Sequence, residues 1–278
     1  MSLCYLDGAF LPLAEAKVSV LDRGFIFGDG VYEVMPVFGR RVLRLERHLA
    51  RLERSLAAVD IANPLSRAQW ADIVERLLAA QAGADFTVYV QLTRGAAPRN
   101  HQPPAGIAPT VFVMASPLAP VDPAVTVRAI THEDFRWQRC EIKSTSLLAN
   151  VLLRQAAVAA GAAEAILVRD ELVTEGAASN VFVVVDGRLR TPPLSTHLLP
   201  GVTRDLLVEI LADSADAVLE TDLTRAELER ADEIFLTSSS RELAAVSHLD
   251  GRPVGASAPG PVFHRVVERY AAFKHGGI

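Results

Sequence analysis

Glu141-Ile142-Lys143-Ser144-Thr145-Ser146-Leu147-Leu148-Ala149-Asn150-Val151-Leu152-Leu153 places a lysine between an apolar, strand-like residue and hydroxyl residues that can cap a helix. The spacing predicts a helix from about Ser146 to Ala160, so Lys143 sits at an element boundary. A lysine amine without its proton attacks aldehydes, and partial burial or a neighbouring cation favours that form. Schiff-base chemistry fits such a residue. Most lysines simply solvate a surface, so Lys143 acquires meaning only together with the segments around it.

Leu172-Val173-Thr174-Glu175-Gly176-Ala177-Ala178-Ser179-Asn180-Val181-Phe182 sets one carboxylate between apolar stretches and beside a glycine. A carboxylate opposite a pyridine nitrogen keeps that nitrogen protonated, and the ring then accepts the electrons left when a C–H bond breaks. Glu175 suits that task; a turn residue in a hairpin is the even alternative for the segment alone. In Leu199-Pro200-Gly201-Val202-Thr203-Arg204-Asp205, a glycine and a hydroxyl residue precede a helix, whose first N–H groups and dipole bind phosphate. Phe235-Leu236-Thr237-Ser238-Ser239-Ser240-Arg241-Glu242 puts four hydroxyl side chains at the end of a strand, where they can complete such a site. Each of the last two segments alone also reads as an ordinary polar loop.

Around these segments the chain reads as α/β. Val31-Tyr32-Glu33-Val34-Met35-Pro36-Val37 looks like a strand, and Leu49, Leu52, Leu56 and Val59 follow helical spacing from Leu45, with Arg47, Arg51 and Arg54 on another stripe. Ser66 to Gln69 resembles a capping box opening a helix with Trp70, Ile73, Leu77 and Leu78, which Gly83 stops. Phe86, Val88, Val90 and Leu92 alternate with polar residues, and Val111-Phe112-Val113-Met114 follows as a strand. Three prolines between residues 116 and 123 suggest a linker. The domains are therefore taken as residues 1–118 and 124–278, joined by 119–123. Beyond the linker come a strand near Val125 to Ile130, a hairpin in which Asp186-Gly187 joins Asn180–Val185 to Leu189, a helix capped by Thr203 and running to about Leu211, a strand from Glu233 to Thr237 and a helix after Pro261.

Composition excludes several function classes. Half of the 278 residues are hydrophobic and 22% are charged, the profile of a folded globular chain. A net charge of −5, spread without long runs, offers no basic footprint for nucleic acid. No apolar run approaches membrane-spanning length, and the first residues lack a basic stretch followed by an apolar one. The two cysteines, Cys4 and Cys140, have no metal-ligand spacing and read as reduced thiols. A cytoplasmic protein acting on small molecules, with no metal site, is the expectation.

The four segments stand in the order and approximate spacing of the fold type IV pyridoxal phosphate enzymes, which the chain resembles over nearly its whole length. Leu21-Asp22-Arg23-Gly24-Phe25-Ile26-Phe27-Gly28-Asp29-Gly30-Val31-Tyr32-Glu33 looks like that family's N-terminal signature, and His48-Leu49-Ala50-Arg51-Leu52 like its phosphate-contacting helix. The resemblance implies an α/β, α+β two-domain fold whose larger C-terminal domain binds pyridoxal 5′-phosphate. It implies Lys143 as catalytic residue, Glu175 on the ring, and Arg51, the backbone of Val202 and Thr203, and the Ser239 hydroxyl on the phosphate. Within the family, Thr93-Arg94-Gly95-Ala96-Ala97-Pro98-Arg99-Asn100-His101-Gln102 resembles the substrate loop of the D-amino-acid aminotransferases. There, residues matching Tyr32, Arg99 and His101 hold the substrate α-carboxylate, a role that guanidinium, imidazole and phenol donors suit. The family places this loop at a subunit boundary, which implies a homodimer.

The implied activity moves the amino group of a D-amino acid, such as D-alanine, D-glutamate or D-aspartate, to a 2-oxo acid. Cofactor is expected between the domains in a Schiff-base linkage to Lys143, whose freed amine carries the proton. A branched-chain L-amino-acid aminotransferase, an R-selective amine transaminase and an aminodeoxychorismate lyase share the scaffold and remain open. A non-catalytic homologue is the reading from another class.

Overall fold

The computed structural model describes residues 2–120, 122, 124–256 and 258–276. Val121 and Pro123 of the expected linker lie outside the described residues. The chain divides into two compact units: the first comprises Met1–Ala119 with Ile142–Leu147, the second Pro120–Glu141 with Leu148–Ile278. Residues 142–147, expected in the C-terminal domain, thus belong to the first unit. Sequence neighbourhood to the following helix does not decide where a connecting segment packs.

The first unit contains β1 (Leu3–Leu6), β2 (Ala9–Pro12), α1 (Arg23–Phe27), β3 (Gly30–Phe38), β4 (Arg41–Val42), α2 (Leu45–Ala58), α3 (Arg67–Ala79), β5 (Phe86–Thr93) and β6 (Thr110–Pro117). Among the described residues its strands form one antiparallel sheet in the order β2-β1-β6-β5-β3-β4. Alternation in β5 sends Phe86, Val88, Val90 and Leu92 into the core, where they join Leu49, Leu52 and Leu56 of α2 and Trp70, Ile73 and Leu77 of α3. Ser66 and Gln69 form the capping box that starts α3. The helix stops at Ala79, ahead of Gly83, whose φ of +112° belongs to the following turn.

The second unit contains β7 (Val127–Glu133), α4 (Leu148–Ala159), β8 (Glu164–Arg169), β9 (Leu172–Gly176), β10 (Asn180–Val185), β11 (Arg188–Thr191), α5 (Val202–Leu211), β12 (Leu219–Glu220), α6 (Arg225–Glu229), β13 (Glu233–Ser238), β14 (Glu242–Leu249), β15 (Arg252–Pro253) and α7 (Pro261–Gly276). Among the described residues they build a mixed sheet in the order β12-β11-β10-β13-β14-β7-β8-β9, with β15 against β14. Parallel pairing of β14 with β7 and β7 with β8 interrupts antiparallel hairpins. The strand β10 is buried along its whole length, which explains its unbroken apolar sequence. At its end Asp186 and Gly187, with φ of +54° and +70°, make the two-residue turn that Asp-Gly favours. Phe182 stacks on Phe235 at 5.2 Å, and the Glu233 carboxylate accepts the N–H groups of Val262 and Phe263 at the start of α7.

Both cysteines are buried, Cys4 with its Sγ 3.5 Å from the Leu11 carbonyl and Cys140 with its Sγ 3.2 Å from that of Trp137. Among the described residues no helix is long and apolar enough to cross a membrane.

Candidate active site

In the first unit, Lys143 is held by its backbone. Its carbonyl accepts the N–H of Tyr32 at 2.9 Å, its own N–H donates to Ser55 Oγ of α2 at 3.2 Å, and Ser144 bridges to Val31. Thr145 and Ser146 donate their hydroxyls to the Gly28 carbonyl instead of capping a helix at Ser146. That explains why α4 begins only at Leu148. The half-buried Lys143 side chain lies with its Nζ 4.1 Å from the ring centroid of Tyr32, so two residues read separately from the sequence meet.

Behind them stands a carboxylate that sequence reasoning missed. Val31, Glu33, Met35 and Val37 share the core face of β3, and Glu33 is fully buried there. Arg51 of α2 donates Nε to Glu33 Oε1 at 2.7 Å and Nη2 to Oε2 at 2.8 Å, while His48 Nδ1 lies 2.9 Å from Oε2. Burial would raise the Glu33 carboxyl, but Arg51 and His48 hold it far below the usual carboxylate range. Burial, with Arg51 and Lys143 nearby, lowers His48 despite Glu33. Arg51 is therefore no solvated helical arginine: its plane is fixed by a bidentate pair. The signal for Glu33 was in the sequence, because a carboxylate on the apolar register of a strand demands buried donors.

The loop after β5 carries Arg99 and His101, both exposed. The structure shows Phe27 as the neighbour of each: the Arg99 guanidinium carbon lies 5.2 Å from its ring centroid and the His101 ring 5.5 Å away. Tyr32 instead stands beside Lys143 and Tyr89, whose ring is 5.8 Å off.

In the second unit, Glu175 lies in β9 rather than in a turn, and it is buried. Its Oε1 accepts from Arg136 Nη1 at 2.5 Å, and its Oε2 from the Leu199 N–H at 3.0 Å and Asn180 Nδ2 at 3.2 Å. Arg136 in turn forks onto Asp134 with two 2.9 Å bonds, and Thr174 donates to the same carboxylate. Burial pushes Glu175 up to about 7 against the pull of Arg136 and the Leu199 N–H. The Arg136 guanidinium, gripped by two carboxylates, is held firmly cationic despite its burial. Nothing in the sequence around Asp134 announced this pairing.

Thr203 does not cap α5. The N-cap is Gly201, which makes no side-chain cap bond, and Val202 and Thr203 supply the first-turn N–H groups. A Cβ at Gly201 would run into Asn180 Oδ1. Opposite Asn180 across β10 and β13 is Thr237, which therefore shares its face of the sheet. The buried Thr237 Oγ1 has no hydrogen-bond partner among the described residues. Ser239, half-buried, sits in the turn that follows β13. An uncapped helix start beside polar side chains is an anion-binding arrangement.

The family described as Amino-transferase class IV matches residues 30–249. The chain is 39% identical over 262 residues to a D-alanine aminotransferase of Bacillus licheniformis, covering 94% of this chain and 93% of that one. It is 37% identical over 273 residues to a D-alanine aminotransferase of Staphylococcus haemolyticus, covering 97% of each. Among solved structures it is similar to a T.th. branched-chain amino acid aminotransferase complexed with N-(5′-phosphopyridoxyl)-L-glutamate. That similarity has a TM-score of 0.89 at 28% identity, over 98% of this chain and 93% of the other.

Proposed function

The chain belongs to the class IV aminotransferases, pyridoxal-phosphate enzymes of fold type IV acting on amino acids and 2-oxo acids, and on that premise we propose that its amino donor is a D-amino acid. The observation that carries the donor class is the 39% and 37% identity, over almost the full chain, to D-alanine aminotransferases. The likeness to branched-chain enzymes is closer in shape than in sequence, as expected when one scaffold serves several donors.

The residues present fit the cofactor. The first unit holds a half-buried lysine amine, and the second holds a buried carboxylate, an uncapped helix start and the orphaned Thr237 hydroxyl. Pyridoxal phosphate, when bound, supplies an aldehyde that condenses with amines and a ring that withdraws electrons from the substrate carbon next to nitrogen. In this reading Lys143 would anchor it and would take the proton from the substrate α-carbon. Glu175, paired with Arg136, would hold the pyridine nitrogen. Arg51, the N–H groups of Val202 and Thr203, and Ser239 Oγ would hold the phosphate; the pair with Glu33 fixes the guanidinium of Arg51. Tyr32 would take the α-carboxylate together with Arg99 and His101 supplied by a second copy of the chain, since within one chain that loop lies against Phe27 and Tyr32 stands beside Lys143.

The reading includes a homodimer and a cytoplasmic setting. For the first, α4 leaves Leu148, Val151 and Leu152 exposed, an apolar row that suits a second copy; for the second, both thiols are free. The test is a donor screen with 2-oxoglutarate, comparing D-alanine, D-glutamate and D-aspartate with L-leucine, L-valine and a chiral amine without carboxylate. Turnover confined to the D-amino acids is expected; a preference for L-leucine or L-valine sinks the donor assignment and leaves the family standing.

A further inference from the structure

Asp22-Arg23-Gly24-Phe25-Ile26-Phe27-Gly28-Asp29 takes no part in holding cofactor or moving protons in the reading above, yet its polar atoms are committed one by one. Asp22 caps α1 by accepting the Gly24 N–H at 2.8 Å. Its other carboxylate oxygen accepts the hydroxyls of Thr93 at 2.9 Å and Thr110 at 2.7 Å, tying the short helix to the facing ends of β5 and β6. Arg23, only 4% exposed, donates Nε to Asp29 at 2.7 Å. Its two remaining nitrogens go to consecutive main-chain carbonyls of the loop, Nη1 to Asn100 at 2.5 Å and Nη2 to His101 at 2.9 Å. The Arg23 N–H also donates to the Gly95 carbonyl at the loop's beginning. A fork of fixed donors can grip two successive carbonyls at once, which a lysine ammonium cannot do with the same geometry.

The aromatic ring at the end of α1 completes the arrangement. Phe27 lies 4.9 Å from the Arg23 guanidinium carbon and 5.2 Å from that of Arg99, and its ring is 5.5 Å from that of His101. Arg99 and His101 are exposed, so without a surface to lie on, each would sample several rotamers and lose that freedom on meeting a carboxylate. We propose that Arg23 and Phe27 are positioning residues for carboxylate capture. Arg23 fixes the backbone of residues 100 and 101, and Phe27 orients the Arg99 guanidinium and the His101 ring before substrate arrives. The inference rests on the reading of Arg99 and His101 as carboxylate ligands, and it names what gives them their specificity.

The experiment uses the holoenzyme and the variants Phe27→Leu, Phe27→Tyr, Arg23→Lys and Arg99→Ala, with D-alanine and a carboxylate-free chiral amine as donors. Loss of the ring platform should raise KM for D-alanine about 3- to 10-fold in Phe27→Leu, the size of a lost cation–π and ring contact. In Phe27→Leu, kcat and the amine's KM stay within about twofold of wild type, because binding lost equally from ground and transition states appears in KM alone. Phe27→Tyr keeps an aromatic face and should restore the wild-type KM. Arg23→Lys should speed hydrogen exchange of the amides between residues 96 and 102. A fall in kcat, an equal loss on both donor classes, failure of Phe27→Tyr to rescue, or unchanged exchange in Arg23→Lys overturns the proposal. Unchanged D-alanine KM in Arg99→Ala overturns the carboxylate reading and the proposal with it. A raised KM in Arg99→Ala beside an unchanged one in Phe27→Leu overturns the proposal alone.

Discussion

Two opposing forces act on the carboxyl of Glu175, and pH separates them. Burial raises its pKa from 4.5 to about 7, so in the cofactor-free protein the folded state binds this proton more tightly than the unfolded chain does. The resulting stabilisation is full below pH 4.5 and is lost as pH rises through 7, an effect on the order of 3 kcal/mol. Melting curves of cofactor-free wild type and Glu175→Gln between pH 4.5 and 8 should therefore show wild type losing stability relative to the variant; parallel curves would contradict the assignment. Lys143→Ala tests the neighbouring claim: turnover should fall at least roughly 10²- to 10⁴-fold together with the visible absorbance of the holoenzyme. Retained turnover would mean that another amine does the work. The sequence singles out Lys143 and Glu175 because each stands in a distinctive local setting, a lysine before hydroxyl residues and a carboxylate before glycine. Asp134 and Arg136 were not, since a salt bridge to Glu175 spans 39 positions and leaves no periodic trace. Glu33 lies between these cases: its register on β3 announced burial, but its partners on α2 could be named only from the fold.

Element by element, alternating and helical apolar patterns located β3, α2, α3 and β5, where packing follows periodicity directly, and an unbroken apolar run located β10. They failed where tertiary bonds override local preference. Ser146 reads as a helix cap but spends its hydroxyl on Gly28, and Thr203 reads as one while Gly201 takes the position. The short helix α1 had too few residues to show a period, and β8 is followed by Asp170-Glu171 without a glycine, whereas β14 is followed by the Asp250-Gly251 turn, a signal that sequence reasoning missed. The start of α5 supports a direct test. In Gly201→Ala the added methyl group would meet Asn180, whose amide is already bonded to Glu175 and the Leu199 carbonyl and cannot simply swing away. A cost of about 1–3 kcal/mol in stability is expected from such overpacking. Cofactor affinity, read by titrating pyridoxal phosphate into the cofactor-free variant, should weaken as well. A variant with wild-type affinity would remove Gly201 and the α5 N–H groups from the phosphate site.

For the molecule entire, the chain divides beside the prolines near residue 119, where the sequence suggests a linker, whereas only packing decides that residues 142–147 belong to the first unit. Sedimentation of the holoenzyme should give twice the 30.0 kDa chain mass, and a monomer at assay concentrations would remove the homodimer. The cysteines carry a different consequence. Cys4 is fully buried and Cys140 nearly so, and burial pushes the thiol of Cys140 up to about 11 and raises that of Cys4. Thiolate, the reactive form, is thus scarce at both positions near neutral pH. The native protein should react with maleimides only on unfolding, which a timed thiol count in buffer and in denaturant would reveal. A single cysteine introduced on the surface would then accept a fluorophore without any substitution of the natural pair, giving optical access to the loop of Arg99 and His101 in an otherwise unaltered chain.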